Sequence, residues 1–307
     1  MRGPVPSATR STVVEAMNHC RGVTRRRARN FYYGLKLTPE PQRSALYSIY
    51  AWMRRADDLV DEVSEEADGR RREIAQFRVA TDEALSGRTN GNEHLWIALA
   101  DTATRFDLPR ESFQLMLEGQ LADLAGADYA TFSDMRDYCY RVASSVGLIC
   151  ISVWGYSDPA ACELAVDRGI AFQLTNILRD YKEDYDDGRV YLPAEDLARH
   201  GLTAQRLRQW QDPAACTALI GEQVERTRSY YARSAPLDGM ISICGRPTLR
   251  AMTSIYGGLL SKIARSPRHI VGNRRVRLSS LRKGAIAMRA RWTAGRGTEA
   301  PPTVSEA

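Results

Sequence analysis

Two stretches of the chain crowd carboxylates together: RRADDLVDE at residues 54–62 and NILRDYKEDYDDGRVYLP at residues 176–193. Each lies on an apolar background with arginines beside it. On a helix, residues four apart share a face, so Asp57 and Asp61 point the same way. Asn176, Asp180 and Asp184 form a second ladder, which drifts by roughly 40° per step and stays within one stripe. Spacing by four would also share a face on a strand. The apolar period of Leu46, Ile49, Tyr50 and Met53 just before Asp57 favours the helix. Stacked carboxylates repel unless a cation sits between them, and hard oxygen donors of this kind suit Mg2+ or Mn2+. Mg2+ usually completes its shell with water and a substrate phosphate. Arg54 and Arg55 beside the first cluster, and Arg179 and Arg189 beside the second, are the candidates to hold phosphate oxygens. Carboxylate, metal and arginine together describe a diphosphate clamp, and the adjoining apolar helix faces imply that the rest of the ligand is hydrocarbon. One acidic run on a helix is more often solvated surface; two, each flanked by arginine, favour a site. An EF-hand does not fit. With Asp180 as its first ligand the third position is Lys182, and with Asp184 first the required glycine is Arg189.

The elements that must carry these ladders read as helices. The chain has 307 residues, 44% of them apolar, and a net charge of +6. That length and composition allow one large domain with a sizeable core. The basic balance suits an anionic partner, such as a phosphorylated substrate, an anionic lipid or a nucleic acid. Six cysteines occur without a CxxC pair or zinc-finger spacing, which reads as a reducing compartment. No apolar leader opens the chain, and its longest uncharged run, Val142–Ser157, is short for a membrane span and reads as a buried helix. Residues 1–12 are expected to fray, and TRRRARN at 24–30 is either a solvated helix face or a phosphate-facing patch. Thr38 and Pro39 are placed to cap and open a helix running to residue 62. Further helices are predicted over 93–106, from Pro109 towards Leu124, and over 134–156, 160–185, 194–199, 203–208, 213–235 and 246–265. A basic final helix follows RRVRL. Gly188 ends the helix of the second ladder, and RVYLP is a short extended link. No βαβ alternation and no fixed-period repeat is visible. The expectation is one all-α domain over 1–292 and a disordered tail over 293–307.

MRRADDLVDE and FQLTNILRDYKEDYDDGRVYLP resemble the two aspartate-rich signatures of the squalene/phytoene synthase family, the head-to-head prenyl diphosphate synthases. YCYRVASSVG at 138–147 and RNFYYGLKLTPEPQRSALYSIYAWMRR upstream resemble that family too, so the likeness runs from about residue 20 to 290. The resemblance implies an all-α isoprenoid synthase fold with a central cavity, and two motifs facing each other across its mouth to bind Mg2+. Position by position, Asp57 and Asp61 match the first motif with Asp58 between them, and Asn176, Asp180 and Asp184 match the second. Arg54 matches an arginine facing diphosphate. Tyr138 and Tyr256 match tyrosines near the diphosphate and the reacting carbons, Gln173 a cavity-lining glutamine, Phe31 a cavity-lining aromatic and Arg275 a phosphate contact. Where the family often has serines just before that aromatic, this chain has Ala28 and Asn30.

The resemblance implies a reaction as well. Metal ions and arginine stabilise the departing diphosphate, and a dry apolar pocket keeps water from the allylic cation. A second prenyl diphosphate then attacks, and proton loss closes a cyclopropane. The released diphosphate ranks above Tyr138 as the base, because a tyrosine ordinarily titrates near 10. Reductive members of the family use NADPH without a Gly-rich fingerprint; the reading favoured here is a phytoene or presqualene diphosphate synthase without reduction. The sequence leaves farnesyl and geranylgeranyl diphosphate both open as substrates. Expected partners are prenyl diphosphates, a membrane surface in peripheral contact and downstream isoprenoid or carotenoid enzymes, with no nucleic acid. A monomer or weak homodimer is expected in the cytoplasm, touching the inner membrane. Two competing readings are a class I terpene cyclase, whose DDxxD the residues Asp57, Asp58 and Asp61 also fit, and a non-catalytic basic helical protein on anionic lipid.

Overall fold

The computed structural model describes residues 10–28, 32, 34–61, 67–89, 91–124, 126 and 128–294. These are mostly helical, and a lone bridge between Tyr156 and Ile241 is the only β pairing among them.

The first half of the chain builds one apolar core. Helix α1 (Arg10–Arg27) turns Ala16, Cys20 and Thr24 inward at a spacing of four and packs on α2 (Gln42–Asp61) and α4 (His94–Arg105). Helix α3 (Ala67–Leu85) lies on α4, and α5 (Arg110–Leu124) follows Pro109 as predicted. Trp52 of α2 is fully buried, set edge-on to Phe113 of α5, and donates to Thr81 Oγ1 at 2.9 Å. The start of α2 differs from expectation. Thr38 does not cap it; its buried hydroxyl pairs with Thr248 Oγ1 at 2.8 Å and accepts from Trp154 Nε1 at 3.2 Å. Pro39 lies in a turn and the helix opens at Gln42, where Glu40 accepts from the Ser44 N–H at 3.1 Å. A buried cross-chain partner outcompetes a local cap for the threonine hydroxyl.

The predicted helix over 134–156 is three pieces in line: α6 (Phe132–Cys139), a π-helical turn (Tyr140–Ser144) and α7 (Ser145–Trp154). The Ser145 N–H reaches back to Tyr140 O, which adds one residue to the turn. Gly155, at φ 81°, ends α7.

Helix α8 (Ala161–Asp186) is the central strut, touching α7, the π turn, α11 (Pro213–Arg233) and α13 (Arg246–Arg265). Its Leu174, Ile177, Leu178 and Tyr181 join Leu219, Ile220, Val224, Ile255 and Leu259 in a second apolar core. Gly188, at φ 80°, turns the chain away, and the link buries Tyr191 and Leu192 before α9 (Ala194–Arg199). Two short helices, α10 (Ala204–Gln209) and α12 (Leu237–Met240), were not both foreseen: α10 was, α12 was not. A 3-10 turn (Pro267–Val271) leads through an irregular stretch to α14 (Ser280–Ala294), which lies on α13. None of the described helices is long and apolar enough to cross a membrane.

Candidate active site

A cavity of about 370 Å³ opens between α2, α5, the α6–α7 rod, α8 and α13. Most of its wall is apolar: Met53, Met116, Val142, Val146, Ile151, Trp154, Phe172, Leu249 and Met252. Along α8 its lining runs from Asn176 back to Ala165, a length of roughly 16 Å at 1.5 Å per residue. Asp57, Gln120, Tyr138, Gln173, Asn176 and Tyr256 supply the polar atoms near the Asn176 end. The two stretches that crowd carboxylates therefore border one apolar chamber.

On α2, Asp57 accepts from Gln120 Nε2 and lies 3.7 Å from Arg54 Nη1. Asp58 does not line the chamber itself and pairs with Arg54 and with Arg27 at 2.6 Å. Asp61 ends the helix, and its side chain is outside the described residues. Phe31 and Asn30 are also outside them, while Ala28 is buried. Arg55 is exposed, and Arg54 alone of the pair turns to the acids.

On α8, Asp180 continues the stripe of Asn176. Arg179 donates to it through Nε at 2.7 Å, and Arg275, from the lead-in to α14, through Nε at 2.6 Å. Burial alone would raise the Asp180 carboxyl, but the two guanidinium groups outweigh burial and hold it below the usual carboxylate range. Asp184 is half-buried one turn further on. Arg189 lies 3.7 Å from Asp187 and does not join Asp180. Tyr256 is buried with its ring 4.7 Å from that of Phe172, and burial pushes its phenol up against the opposing charge of Arg179. Tyr138 stacks on Tyr191 at 5.0 Å, so the extended link after α8 supports a chamber tyrosine.

The donor chemistry fits a hard divalent cation. Asn176 Oδ1 is buried at the chamber with no hydrogen-bond partner, while its Nδ2 donates to Gln173 Oε1 at 3.2 Å. An oxygen left open on the carboxylate stripe is a ligand such a cation takes. Among the described residues no three acids or imidazoles already converge on one point; Arg27, Arg54, Arg179 and Arg275 neutralise the acids instead.

Gln120 and Arg168 are among the chamber residues that sequence reasoning missed. Gln120 falls on the apolar stripe of Phe113, Met116 and Leu117 at i+7, and a polar residue on such a stripe was the available signal. Arg168 is 3% exposed on α8 and lines the chamber, donating to Ser234 Oγ at 2.9 Å and Ser234 O at 2.8 Å.

An all-helical fold around an apolar chamber with an acid- and arginine-rich mouth is that of the isoprenoid synthases. A solved dehydrosqualene synthase superposes with a TM-score of 0.83 at 27% identity, covering 94% of this chain and 99% of its own. A squalene synthase, HpnC of Alicyclobacillus acidocaldarius, superposes at 0.76 with 26% identity over 85% of this chain and 96% of its own. The protein is a prenyltransferase of this fold. Residues 24–282 match the family Squalene/phytoene synthase, and the chain belongs to it. The 15-cis-phytoene synthase of Synechococcus elongatus is 35% identical over 84% of this chain and 87% of its own. The phytoene synthase of Mycobacterium tuberculosis is 33% identical over 90% of each.

Proposed function

We propose that the protein condenses two molecules of geranylgeranyl diphosphate head to head, through a cyclopropylcarbinyl diphosphate, to phytoene, releasing two diphosphates and using no reductant. The observation that carries this reading is the shared chamber: Asp57 and Asn176, from two separate acidic stretches, border the same apolar cavity. The phytoene synthases among its relatives supply the choice of a C20 substrate.

Mg2+, or Mn2+ with the same donors, held by Asp57, Asp58 and Asp61 on one side and Asn176, Asp180 and Asp184 on the other, would supply charge neutralisation for the departing diphosphate. The arginines bind its oxygens: Arg54 on the α2 side, Arg179 and Arg275 on the α8 side. Tyr256 keeps its proton, because burial pushes the phenol up, and so offers a donor to a diphosphate oxygen. Gln173 fixes the Asn176 amide. Phe172, Val146 and Met252 wall the allylic cation from water. The proton lost on closing the cyclopropane goes to the departed diphosphate, with Tyr138 the alternative acceptor. Phe31 is assigned to the wall by resemblance alone.

One dimension favours a C30 product instead. An extended chain advances about 1.2 Å per bond, so a farnesyl chain spans roughly 14 Å and a geranylgeranyl chain roughly 19 Å, against roughly 16 Å of lining along α8. The test incubates purified protein and Mg2+ with either diphosphate, with and without NADPH, and identifies extracted products by mass. A C40 hydrocarbon from the C20 substrate supports the proposal. A C30 diphosphate or hydrocarbon moves the assignment to the farnesyl branch, and NADPH dependence would place it among the reductive enzymes. Only cyclised or hydrolysed monomer would refute head-to-head coupling and leave the terpene cyclase reading.

A further inference from the structure

The chamber is deeper along α7 than along α8. Gly147 of α7 lies against α8 at Ala165, where an added Cβ would stand 3.3 Å from Ala165 O. Ala165 is the last residue of α8 on the lining, but α7 carries the wall on through Cys150 and Ile151 to Trp154. From Tyr138 at the mouth to Trp154 the rod spans roughly 24 Å at 1.5 Å per residue. A helical side chain leans towards the N-terminus of its helix. For α7 that is the direction of the mouth, so the indole fills the far end of this length. Leu35, Leu237, Thr248 and Leu249 complete the floor around it.

Trp154 is 7% exposed and is held from three sides. Its Nε1–H donates to Thr38 Oγ1 at 3.2 Å, Thr38 pairs with Thr248 Oγ1 at 2.8 Å, and Thr248 donates to Gly34 O at 3.0 Å. These bonds run in one direction, from the indole to a backbone carbonyl, and both hydroxyls belong to fully buried residues. The Trp154 carbonyl accepts from Ser242 Oγ and, at 3.4 Å, from Cys244 Sγ. Gly245, which is not on the lining, packs bare backbone against the ring: a Cβ there would stand 2.4 Å from the indole Cγ and 2.6 Å from Cδ2. Elsewhere the wall has Met53, Met116 and Met252, whose flexible side chains can adapt to a ligand. The floor has no such slack, because every direction in which the indole could move is taken by a hydrogen bond or by backbone.

We infer that Trp154 sets the longest prenyl chain the chamber accepts, with Thr38, Thr248 and Gly245 fixing the depth at which it does so. The inference rests on the reading of the chamber as a prenyl diphosphate site, and it names the residue that selects among chain lengths. At about 1.2 Å per bond, farnesyl and geranylgeranyl chains end roughly 14 and 19 Å from the diphosphate, short of the indole. The shorter α8 side, roughly 16 Å, stops at Ala165 and leaves the last part of a geranylgeranyl chain between α7 and the floor. A geranylfarnesyl chain, one isoprene unit longer, needs roughly 24 Å. That is the whole span from Tyr138 to the Trp154 backbone, so its end meets the ring. A floor that cannot yield rejects such a chain by clash rather than by lost attraction.

The experiment measures binding without turnover: calorimetry of the full chain with Mg2+ and the farnesyl, geranylgeranyl and geranylfarnesyl S-thiolodiphosphates. In these probes sulfur replaces the bridging oxygen and slows departure of the diphosphate. A failed head-to-head coupling assay would therefore leave this test intact. The wild type is expected to bind the geranylfarnesyl probe at least ~10-fold more weakly than the geranylgeranyl one, the scale of a methylene that does not fit an apolar pocket. Trp154→Ala removes more side-chain atoms than an isoprene unit adds, and is expected to erase that drop. Trp154→Leu keeps an apolar side chain against Gly245, should lessen the drop at least ~3-fold, and serves where alanine lowers the folded fraction. Gly245→Ala acts in the opposite direction. Its methyl pushes the indole inward, so the geranylgeranyl probe should lose at least ~10-fold in affinity relative to the farnesyl one. Circular dichroism and a thermal melt check that each variant is folded. Equal wild-type affinity for the geranylgeranyl and geranylfarnesyl probes, or a drop that both Trp154 variants leave in place, overturns the inference.

Discussion

Gly169→Ala is predicted to separate catalysis from stability. Gly169 lies where α8 crosses the π turn. A Cβ there would stand 2.5 Å from Ser144 Cα, 2.7 Å from its N and 2.9 Å from its Oγ. Carbon atoms pack best at about 3.5–4.0 Å, so the two backbones must part by ~1 Å, and no side-chain rotation relieves the contact. Overpacking of this kind costs about 1–3 kcal/mol. Alanine recovers up to ~1 kcal/mol of helix propensity, which leaves a net loss of about 0–2 kcal/mol and a melting temperature lower by a few degrees. The catalytic cost is larger. The π turn and its flanks carry Tyr138, Val142 and Ala143, and α8 carries Phe172, Gln173 and Asn176, all on one chamber. A displacement of ~1 Å among such groups lowers turnover by ~100-fold. The assay pairs a thermal melt with product formation. Gly221→Ala on α11 is the control, because a Cβ there meets nothing within 4 Å. It should raise stability by about 0.5–1 kcal/mol and leave turnover unchanged. Wild-type turnover in Gly169→Ala would refute the argument that this crossing sets the chamber.

Asp57→Ala and Asp180→Asn are expected to keep wild-type circular dichroism and to lose turnover by at least ~1000-fold, the scale of removing electrostatic stabilisation at a reacting centre; full activity in either would remove these carboxylates from the mechanism. Asp196 is fully buried, accepts from Gln223 Nε2 at 2.8 Å and pairs with Arg226 and, at 3.0 Å, with Arg199. Burial alone would raise its carboxyl, but Arg226, Gln223 and Arg199 hold it below the usual range. Its folded value lies below its unfolded one, so the stabilisation is present above pH ~4 and is lost as pH falls through the folded value. Melting temperature should drop on that acid limb. Asp196→Asn should flatten the limb and cost about 1–3 kcal/mol at neutral pH by removing the charge on the hydrogen bonds from Arg226 and Arg199, while Arg226 keeps Glu222 at 3.1 Å. Cys20, with no exposed surface and a thiol pushed up to about 12 by burial, should resist alkylation at pH 8 in the native protein and react on unfolding.

The sequence showed most of the helical order because apolar period and breakers agreed with the final packing: the helices over 194–199 and 246–265 fall where Pro, Gly and the period placed them. Helix α1 was not legible. Its buried stripe is Ala16, Cys20 and Thr24, small residues whose weak apolar signal is drowned by Arg25, Arg26 and Arg27. The π turn was not legible either: no local pattern marks it, and it packs on α8 where Gly169 lies against Ser144, 25 residues away in sequence. At the site, the aspartate ladders were visible because helical spacing alone puts them on a stripe. Their arginine partners were only partly visible. Arg54 and Arg179 lie within four positions of the acids they hold, whereas Arg275 reaches Asp180 across 95 positions, and only resemblance to a family pointed there.

The arginines bear on how the site binds. Asp57 and Asp58 are matched by Arg54 and Arg27, and Asp180 by Arg179 and Arg275. A divalent cation arriving alone must displace guanidinium groups from the acids and leave them without a partner. A diphosphate arriving alone meets arginines already bound to carboxylate. When both arrive, each arginine can exchange a carboxylate for a phosphate oxygen while the acids take the metal, and no buried charge is stranded. Inorganic diphosphate and Mg2+ should therefore bind cooperatively, each tightening the other by the same factor of at least ~10. Titration calorimetry in both orders measures that factor directly. Arg275→Gln, which frees Asp180 of one guanidinium, should raise the affinity for Mg2+ alone and reduce the coupling. Equal diphosphate affinity with and without Mg2+ would show that the arginines do not change partners, and that they hold the carboxylates for structural reasons only.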